Sequence, residues 1–188
     1  DTFAQILRDQ GFDVQAVVIR FSPAHDAAVR AAQTVARQLG VPLIEEDCTE
    51  EFEQQVVEPF CAQYCAGRTP SPCVACNPLV KFRTLADTAT RLGIPYLASG
   101  HYARVVQQGS AFHIARAQSA ARDQSYMLYA LGQDILSRLC LPLGEFEKED
   151  IDTGNMGSEM LLSILGSAAQ EESLSISKNL KWSYRRRM

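Results

Sequence analysis

The chain has 188 residues, 46% of them hydrophobic and 21% charged, and its formal net charge at neutral pH is −4. It contains no run of about eighteen apolar residues and no basic-then-apolar leader, which excludes a membrane span and a secretory signal and predicts a soluble, cytoplasmic protein, or a mitochondrial one in a eukaryotic source. The acidic balance also excludes a broadly basic nucleic-acid binder, so any RNA contact is expected to be local.

Helices and strands are predicted to alternate from the beginning of the chain. Residues 2–10 have helical spacing of apolar residues and are followed by a glycine, and residues 14–21 form a nearly continuous apolar run typical of a buried parallel strand. Residues 26–39 carry an apolar stripe at helical spacing, which Gly40 is expected to end. A second strand is predicted at residues 42–45.

The alternation continues through the middle of the chain. The predicted elements are a helix over residues 50–65, a Pro-rich loop over 67–72, a helix over 79–92, a strand over 96–98 and a hairpin formed by 102–106 and 112–115. This order indicates an α/β fold, an open parallel sheet with helices on both faces and a small appended hairpin. Ligands of such sheets gather at the carboxyl ends of the strands.

Two cysteines, Cys73 and Cys76, stand in the segment GRTPSPCVACNPLVKF just ahead of a predicted helix. The prolines before them are expected to hold the loop extended and exposed, and the helix N-terminus is expected to lower a thiol pKa, so either cysteine is a candidate nucleophile. A four-thiolate zinc site is the alternative. Its ligands would be Cys61, Cys65, Cys73 and Cys76. Cys48 and Cys140 are interpreted as core residues, and all six are expected to be reduced thiols.

Four segments in this order resemble signatures of the tRNA 2-thiouridine synthases: GRTPSPCVACN-x-x-x-KF, YLASGHYAR, ARDQSYMLYAL and LSRLCLPLGEFEKEDI. The resemblance runs from residue 1 to about residue 151. It implies that residues 1–150 are a nucleotide-binding domain of the adenine nucleotide α-hydrolase (PP-loop ATPase) type and that residues 151–188 are a divergent tail. The family's phosphate loop, SGGxDS, and its later persulfide cysteine, connecting domain and barrel are not found in this sequence, so a chain truncated at both ends is expected.

The resemblance also implies roles for individual residues. Cys76 matches the nucleophilic cysteine, Ile19 and Gly100 match ATP contacts, and the remaining matches contact RNA. Target-base contacts are implied for Ser71, Pro72 and Cys73, and tRNA contacts for Arg122, Asp123 and Gln124. Asp123 has a second interpretation as a helix N-cap, and His101 is interpreted as structural or orienting.

The implied activity is transfer of sulfur to C2 of a tRNA uridine after ATP adenylates the C2 oxygen, with Mg²⁺ neutralising phosphate charge and a persulfide-delivering sulfur-donor protein as partner. Because Cys73 stands where many relatives have Asp, Cys73 and Cys76 are also candidate ligands of a [4Fe-4S] cluster. Two alternatives remain at this point: a non-catalytic RNA-binding or metal-binding remnant of the family, and an ATP-pyrophosphatase acting on another substrate, which the PSPCVACN and RDQSY segments disfavour.

Overall fold

Parallel strands joined by helices form the first half of the structure, a computed structural model that describes residues 7–8 and 11–145. Strand β1, Ala16–Arg20, pairs in parallel with β2, Leu43–Asp47, and helix α1, Asp26–Leu39, connects them. Gly40 ends α1 in the left-handed conformation at φ 62°, as predicted. The helix expected over residues 2–10 lies outside the described residues except for residues 7 and 8, which are helical.

Two long helices follow, and each contains a π-helical segment. The first consists of α2, Thr49–Phe52, a π segment, Glu53–Val57, and α3, Glu58–Cys65. The second consists of α4, Pro72–Cys76, a π segment, Asn77–Lys81, and α5, Phe82–Arg91. Helix α4 packs against the π segment of the first helix. Such single π turns within α-helices are frequent at functional sites.

A second parallel pair and a hairpin complete the described residues. Strand β3, Leu97–Ala98, pairs in parallel with a strand near residue 140, and the hairpin strands pair with each other. These elements are β4, Ala103–Gln108, β5, Ala111–Arg116, α6, Gln133–Leu136, and β6, Leu139–Cys140. The hairpin turns at Gly109, whose φ of 62° suits a tight turn between twisted strands. The predicted α/β class is therefore confirmed, with the parallel strands of the described part seen as two pairs.

The long second helix joins two hydrophobic clusters. Its N-terminal half contributes Cys76 and Val80 to a cluster with residues at the end of β1 and in the first long helix. Its C-terminal half contributes Phe82 and Ala86 to a cluster beneath β3, β6 and the hairpin. One helix thus fixes the carboxyl end of β1 relative to the segment that follows β3. Among the described residues, no helix is both long enough and apolar enough to cross a membrane.

Candidate functional site

The cysteine segment is helical from Pro72 onward. Ser71 is the extended N-cap residue and Pro72 occupies the first turn, where its fixed φ and missing N–H favour helix initiation. The prediction that Cys73 and Cys76 stand in an extended loop ahead of a helix over residues 79–92 is therefore wrong. Cys73 is half-buried, and Cys76, one turn later, is only 6% exposed rather than displayed on a loop.

Cys76 lies on the side of the helix that faces the end of β1. Ile19, the predicted adenine-side contact, packs against the same cluster of side chains that contains Cys76. Next to Ile19, the Arg20 guanidinium bonds the carboxylates of Asp26 and Asp47, each at 2.8 Å. This ion-pair cluster fixes the carboxyl ends of β1 and β2 against the start of α1.

The segment after β3 carries the second motif. Gly100 is half-buried directly beyond the strand, and His101 behind it is buried, with Nδ1 2.7 Å from the Ser99 hydroxyl and its ring 5.6 Å from that of Phe82. Burial, together with the positive charge of Lys81, lowers the pKa of His101 from 6.5 to about 3. The imidazole is therefore neutral at physiological pH and a weak base, which suits the orienting role interpreted from the sequence.

The third motif is a loop whose shape is set by its own side chains. Asp123 accepts hydrogen bonds from the backbone N–H groups of Ala117 and Ser125, at 2.9 and 3.3 Å, and from the Ser125 hydroxyl at 2.8 Å. Burial opposes ionisation of Asp123, but these hydrogen bonds outweigh it and lower its pKa. Asp123 bonds the amide of Ser125, the first residue of the 3-10 turn Ser125–Met127, but Gln124 is the N-cap residue of that turn, so Asp123 lies one position before the cap.

This loop is fastened to the second motif through Tyr102. The Gln124 side-chain oxygen accepts from the Tyr102 N–H at 2.9 Å, and the Gln124 N–H donates to the Tyr102 carbonyl at 2.8 Å. Arg122 donates to the Tyr102 hydroxyl at 3.0 Å and lies 5.2 Å from the centre of its ring. Two residues of the predicted tRNA triplet therefore bind a residue that follows Gly100 by two positions.

The same loop is also fastened to the cysteine helix. The turn Ser125–Met127 packs against α4, and the Asn77 side-chain amide donates to the Met127 carbonyl at 3.1 Å. The structure thus brings together the cysteine helix, the segment after β3 and the loop of residues 122–127. Neither Asn77 nor Tyr102 was assigned a role from the sequence, although both stand within the quoted motifs, because the partners of each are distant along the chain.

Metal ligation is the part of the site that the geometry supports least. In residues 7–8 and 11–145, no three side chains of His, Cys, Asp or Glu converge as metal ligands, so the four-cysteine zinc alternative is not formed there. Cys61 is half-buried and Cys65 exposed. A [4Fe-4S] cluster needs more thiolates than the Cys73 and Cys76 pair, so the described residues alone do not fit one. All six cysteines are described, and the structure joins none of them in a disulfide.

The two cysteines interpreted as core residues differ. Cys48 is 5% exposed, and burial raises the pKa of its thiol, as expected of a core residue. Cys140 is exposed, so that prediction is wrong. Side chains alternate between the faces of a strand, and in β6 the flanking Leu139 and Leu141 are the buried ones.

The chain is similar to known proteins over most of its length. A family model described as the tRNA methyl transferase HUP domain matches residues 2–176, which includes part of the segment interpreted as a tail. The chain is 44% identical over 160 residues to the tRNA-specific 2-thiouridylase MnmA of Syntrophotalea carbinolica, a match that covers 80% of this chain and 45% of that protein. It is 38% identical to MnmA 1 of Clostridium tetani, over 79% of this chain and 43% of the relative, and 38% identical to MnmA of Acidithiobacillus ferrooxidans, with the same shares covered. The chain therefore spans a little under half the length of these curated relatives.

Proposed function

Because the chain belongs to the tRNA methyl transferase HUP-domain family, a family of the PP-loop ATPase type, we propose that the complete gene product is a tRNA-uridine 2-sulfurtransferase. The relatives at 38 to 44% identity carry the name tRNA-specific 2-thiouridylase, which supports thiolation as the reaction rather than methylation. Residues 1–150 would serve as the nucleotide-binding domain, followed by a divergent segment over residues 151–188.

The strongest support for the proposal is a hydrogen bond that joins two of the motifs. The helix that contains Cys76 is bonded to the loop of residues 122–127 through the hydrogen bond from the Asn77 side chain to the Met127 carbonyl. A nucleophile and an RNA-binding loop that are fixed to each other are what sulfur transfer to a tRNA base requires, because rate depends on holding the reacting groups in one geometry.

The proposed reaction has two stages. The C2 oxygen of the uridine attacks the α-phosphorus of ATP, and pyrophosphate leaves with the electrons of the broken P–O bond. The terminal sulfur of a cysteine persulfide then attacks C2, and AMP leaves with the electrons of the broken C2–O bond. The Cys76 thiolate attacks the inner sulfur of the persulfide, so that a disulfide forms and the transferred sulfur stays on C2. The family's persulfide cysteine is not among the six cysteines of this sequence, so the persulfide is proposed to come from outside these 188 residues and to be loaded by a sulfur-donor protein.

ATP is proposed to bind at the carboxyl ends of β1 and β3. Ile19, at the end of β1, offers backbone groups to the adenine, and Gly100, after β3, has no Cβ to block a close approach. Mg²⁺ is held mainly by phosphate oxygens and water in sites of this kind, so it needs few protein ligands. A [4Fe-4S] cluster enters no step, since the described residues supply only the Cys73 and Cys76 pair for it.

The tRNA is proposed to contact two neighbouring segments. Ser71, Pro72 and Cys73 lie at the start of the cysteine helix and would face the target base. Arg122 offers the positive charge, whereas the side chains of Asp123 and Gln124 are engaged within the protein, so these two would contact RNA through their backbone or by shaping the loop. Tyr126, 59% exposed in the adjoining turn, offers an aromatic surface of the kind on which unpaired bases stack. The relatives are bacterial, and a cytoplasmic setting is proposed on that basis.

The test is thiolation of tRNA by the complete gene product with serine in place of Cys76. Cys76→Ser should abolish formation of 2-thiouridine, measured by mass spectrometry of digested tRNA, because the hydroxyl cannot replace the thiolate in disulfide formation. Cys65→Ser is the matched control, since Cys65 is exposed and lies on the other long helix. Full activity of Cys76→Ser would remove this residue from the mechanism, and absence of 2-thiouridine with the wild-type protein would refute the proposed function.

A further inference from the structure

Asn77 is a buried polar residue that the sequence motifs left without a role. It follows Cys76 directly, opens the π segment Asn77–Lys81 and is 4% exposed. Its side-chain amide donates to the Met127 carbonyl at 3.1 Å, although the two residues are 50 positions apart in the chain. The contact therefore joins two motifs that local structure does not connect.

A buried amide fixes the relative position of the two segments, which an apolar residue would not do. An apolar side chain of similar size could fill the same space, but it would leave the Met127 carbonyl without this donor and would allow the two segments to slide. A hydrogen bond with one donor and one acceptor fixes the distance and the relative orientation of the backbone pieces that carry them. The donor is the side chain of Asn77, the residue directly after Cys76, and the acceptor is the Met127 carbonyl, in the turn that follows Arg122, Asp123 and Gln124.

We propose that Asn77 is the positioning residue that holds the Cys76 helix against the tRNA-binding loop. The thiol and the bound uridine are thereby held at the distance and orientation that sulfur transfer needs. This role rests on the proposed function and adds a residue to it. Gln124 and Tyr102 fasten the other side of the same loop. The loop is thus tied at one side to the segment after β3 and at the other to the cysteine helix.

The first measurement is steady-state thiolation of tRNA by the complete gene product carrying Asn77→Asp or Asn77→Ser. Asn77→Asp keeps the size and replaces the donor by an oxygen that repels the Met127 carbonyl, and Asn77→Ser is a milder change whose hydroxyl is too short to reach it. We expect kcat to fall by about tenfold or more in both variants, because a displacement of about 1 Å between reacting groups can lower a rate by that much. KM for ATP should stay within about twofold of the wild-type value, since the loop and not the nucleotide site is disturbed.

A matched control comes from the same helix. Thr88 is 3% exposed, and its hydroxyl donates to the Glu46 carboxylate at 2.8 Å and accepts a longer bond from Arg91 at 3.5 Å, so Thr88→Val also removes buried side-chain hydrogen bonding. This variant should lose stability comparably and keep the wild-type kcat per folded molecule. If Thr88→Val lowers kcat as much as the Asn77 variants do, the effect reflects helix stability and the positioning role is refuted.

The second measurement does not require thiolation. Since the turn Ser125–Met127 packs against α4, loosening it should make Cys76 react severalfold faster with iodoacetamide, while buried Cys48 keeps its wild-type rate. Peptide mass spectrometry resolves the two sites. Equal acceleration at both cysteines would indicate general unfolding, and no acceleration at Cys76 would show that the bond holds nothing in place; either result overturns the proposal. If the wild-type protein makes no 2-thiouridine, the proposed function fails, and the alkylation rates still decide whether Asn77 fixes the loop.

Discussion

Acid should destabilise this protein through His101 before its carboxylates are protonated. In the folded chain the pKa of His101 is lowered to about 3, whereas in the unfolded chain it returns to its ordinary value of 6.5. Between these values the unfolded state binds a proton that the folded state does not. The stabilising contribution of the neutral imidazole is therefore complete above about pH 6.5 and is lost as the pH falls toward 3.

The size of the effect follows from the width of that window. Each pH unit within it weakens folding by at most about 1.4 kcal/mol, so acidification from about pH 6.5 to about pH 5 should lower the free energy of unfolding by about 2 kcal/mol. The pKa values of Asp47 and Asp123 are lowered from 3.8, so these two carboxylates contribute at still lower pH and do not mimic the histidine in this interval.

The assay is urea unfolding at about pH 7 and about pH 5, with the wild-type protein and His101→Gln compared. The variant should be less stable at pH 7, because the contact with Ser99 and the packing on Phe82 change. On acidification, however, its free energy of unfolding should fall by about 2 kcal/mol less than that of the wild-type protein. An NMR titration should show no protonation of His101 until well below pH 5. The reasoning is refuted if both proteins lose the same stability on acidification, or if the imidazole titrates near its ordinary pKa.

Two further substitutions test the loop and the packing beneath it. Asp123→Ala should accelerate amide hydrogen exchange at Ala117 and Ser125 and weaken tRNA binding, and Asp123→Asn should restore part of both; unchanged exchange in Asp123→Ala would contradict the loop-shaping role. Gly144→Ala should destabilise the protein by about 3 kcal/mol or more in urea unfolding, because its Cβ would lie 1.9 Å from the Ala103 carbonyl oxygen. Gly67→Ala, where the new Cβ meets open space at φ +75°, is the control and should cost only about 1 kcal/mol.

The elements that the sequence predicted well are those with strong local patterns. Helix α1 begins and ends at the predicted residues because its apolar stripe and its terminal Gly40 are both local signals. The hairpin was found for the same reason, with Gly109 at its turn. The short strand β6 was missed, since two residues are too few for an alternating pattern and its pairing with β3 depends on a partner some 40 positions away.

The candidate site shows the same difference between local motifs, which the sequence reveals, and contacts between distant residues, which it does not. The resemblance supplied Cys76, Gly100 and the loop of residues 122–124, but it carried no information on how these segments are held together. The contact of Asn77 with Met127 spans 50 positions, and that of Tyr102 with Gln124 spans 22, so neither follows from spacing within one motif. The start of the cysteine helix at Pro72 was missed because a proline was interpreted as extending the chain, although it equally favours the first turn of a helix.

The internal contacts of the loop also decide how the triplet Arg122, Asp123 and Gln124 would serve RNA binding. The Asp123 carboxylate and the Gln124 amide oxygen accept hydrogen bonds from backbone amides. Asp123 would therefore repel a bound phosphate less than a free carboxylate would. Arg122 is held in place by Tyr102, and a guanidinium already held in one orientation loses less conformational entropy on binding a phosphate than a mobile one. Under the proposed function, the loop would present one fixed positive charge to tRNA, and Asp123 would support that charge by holding the backbone around it in place.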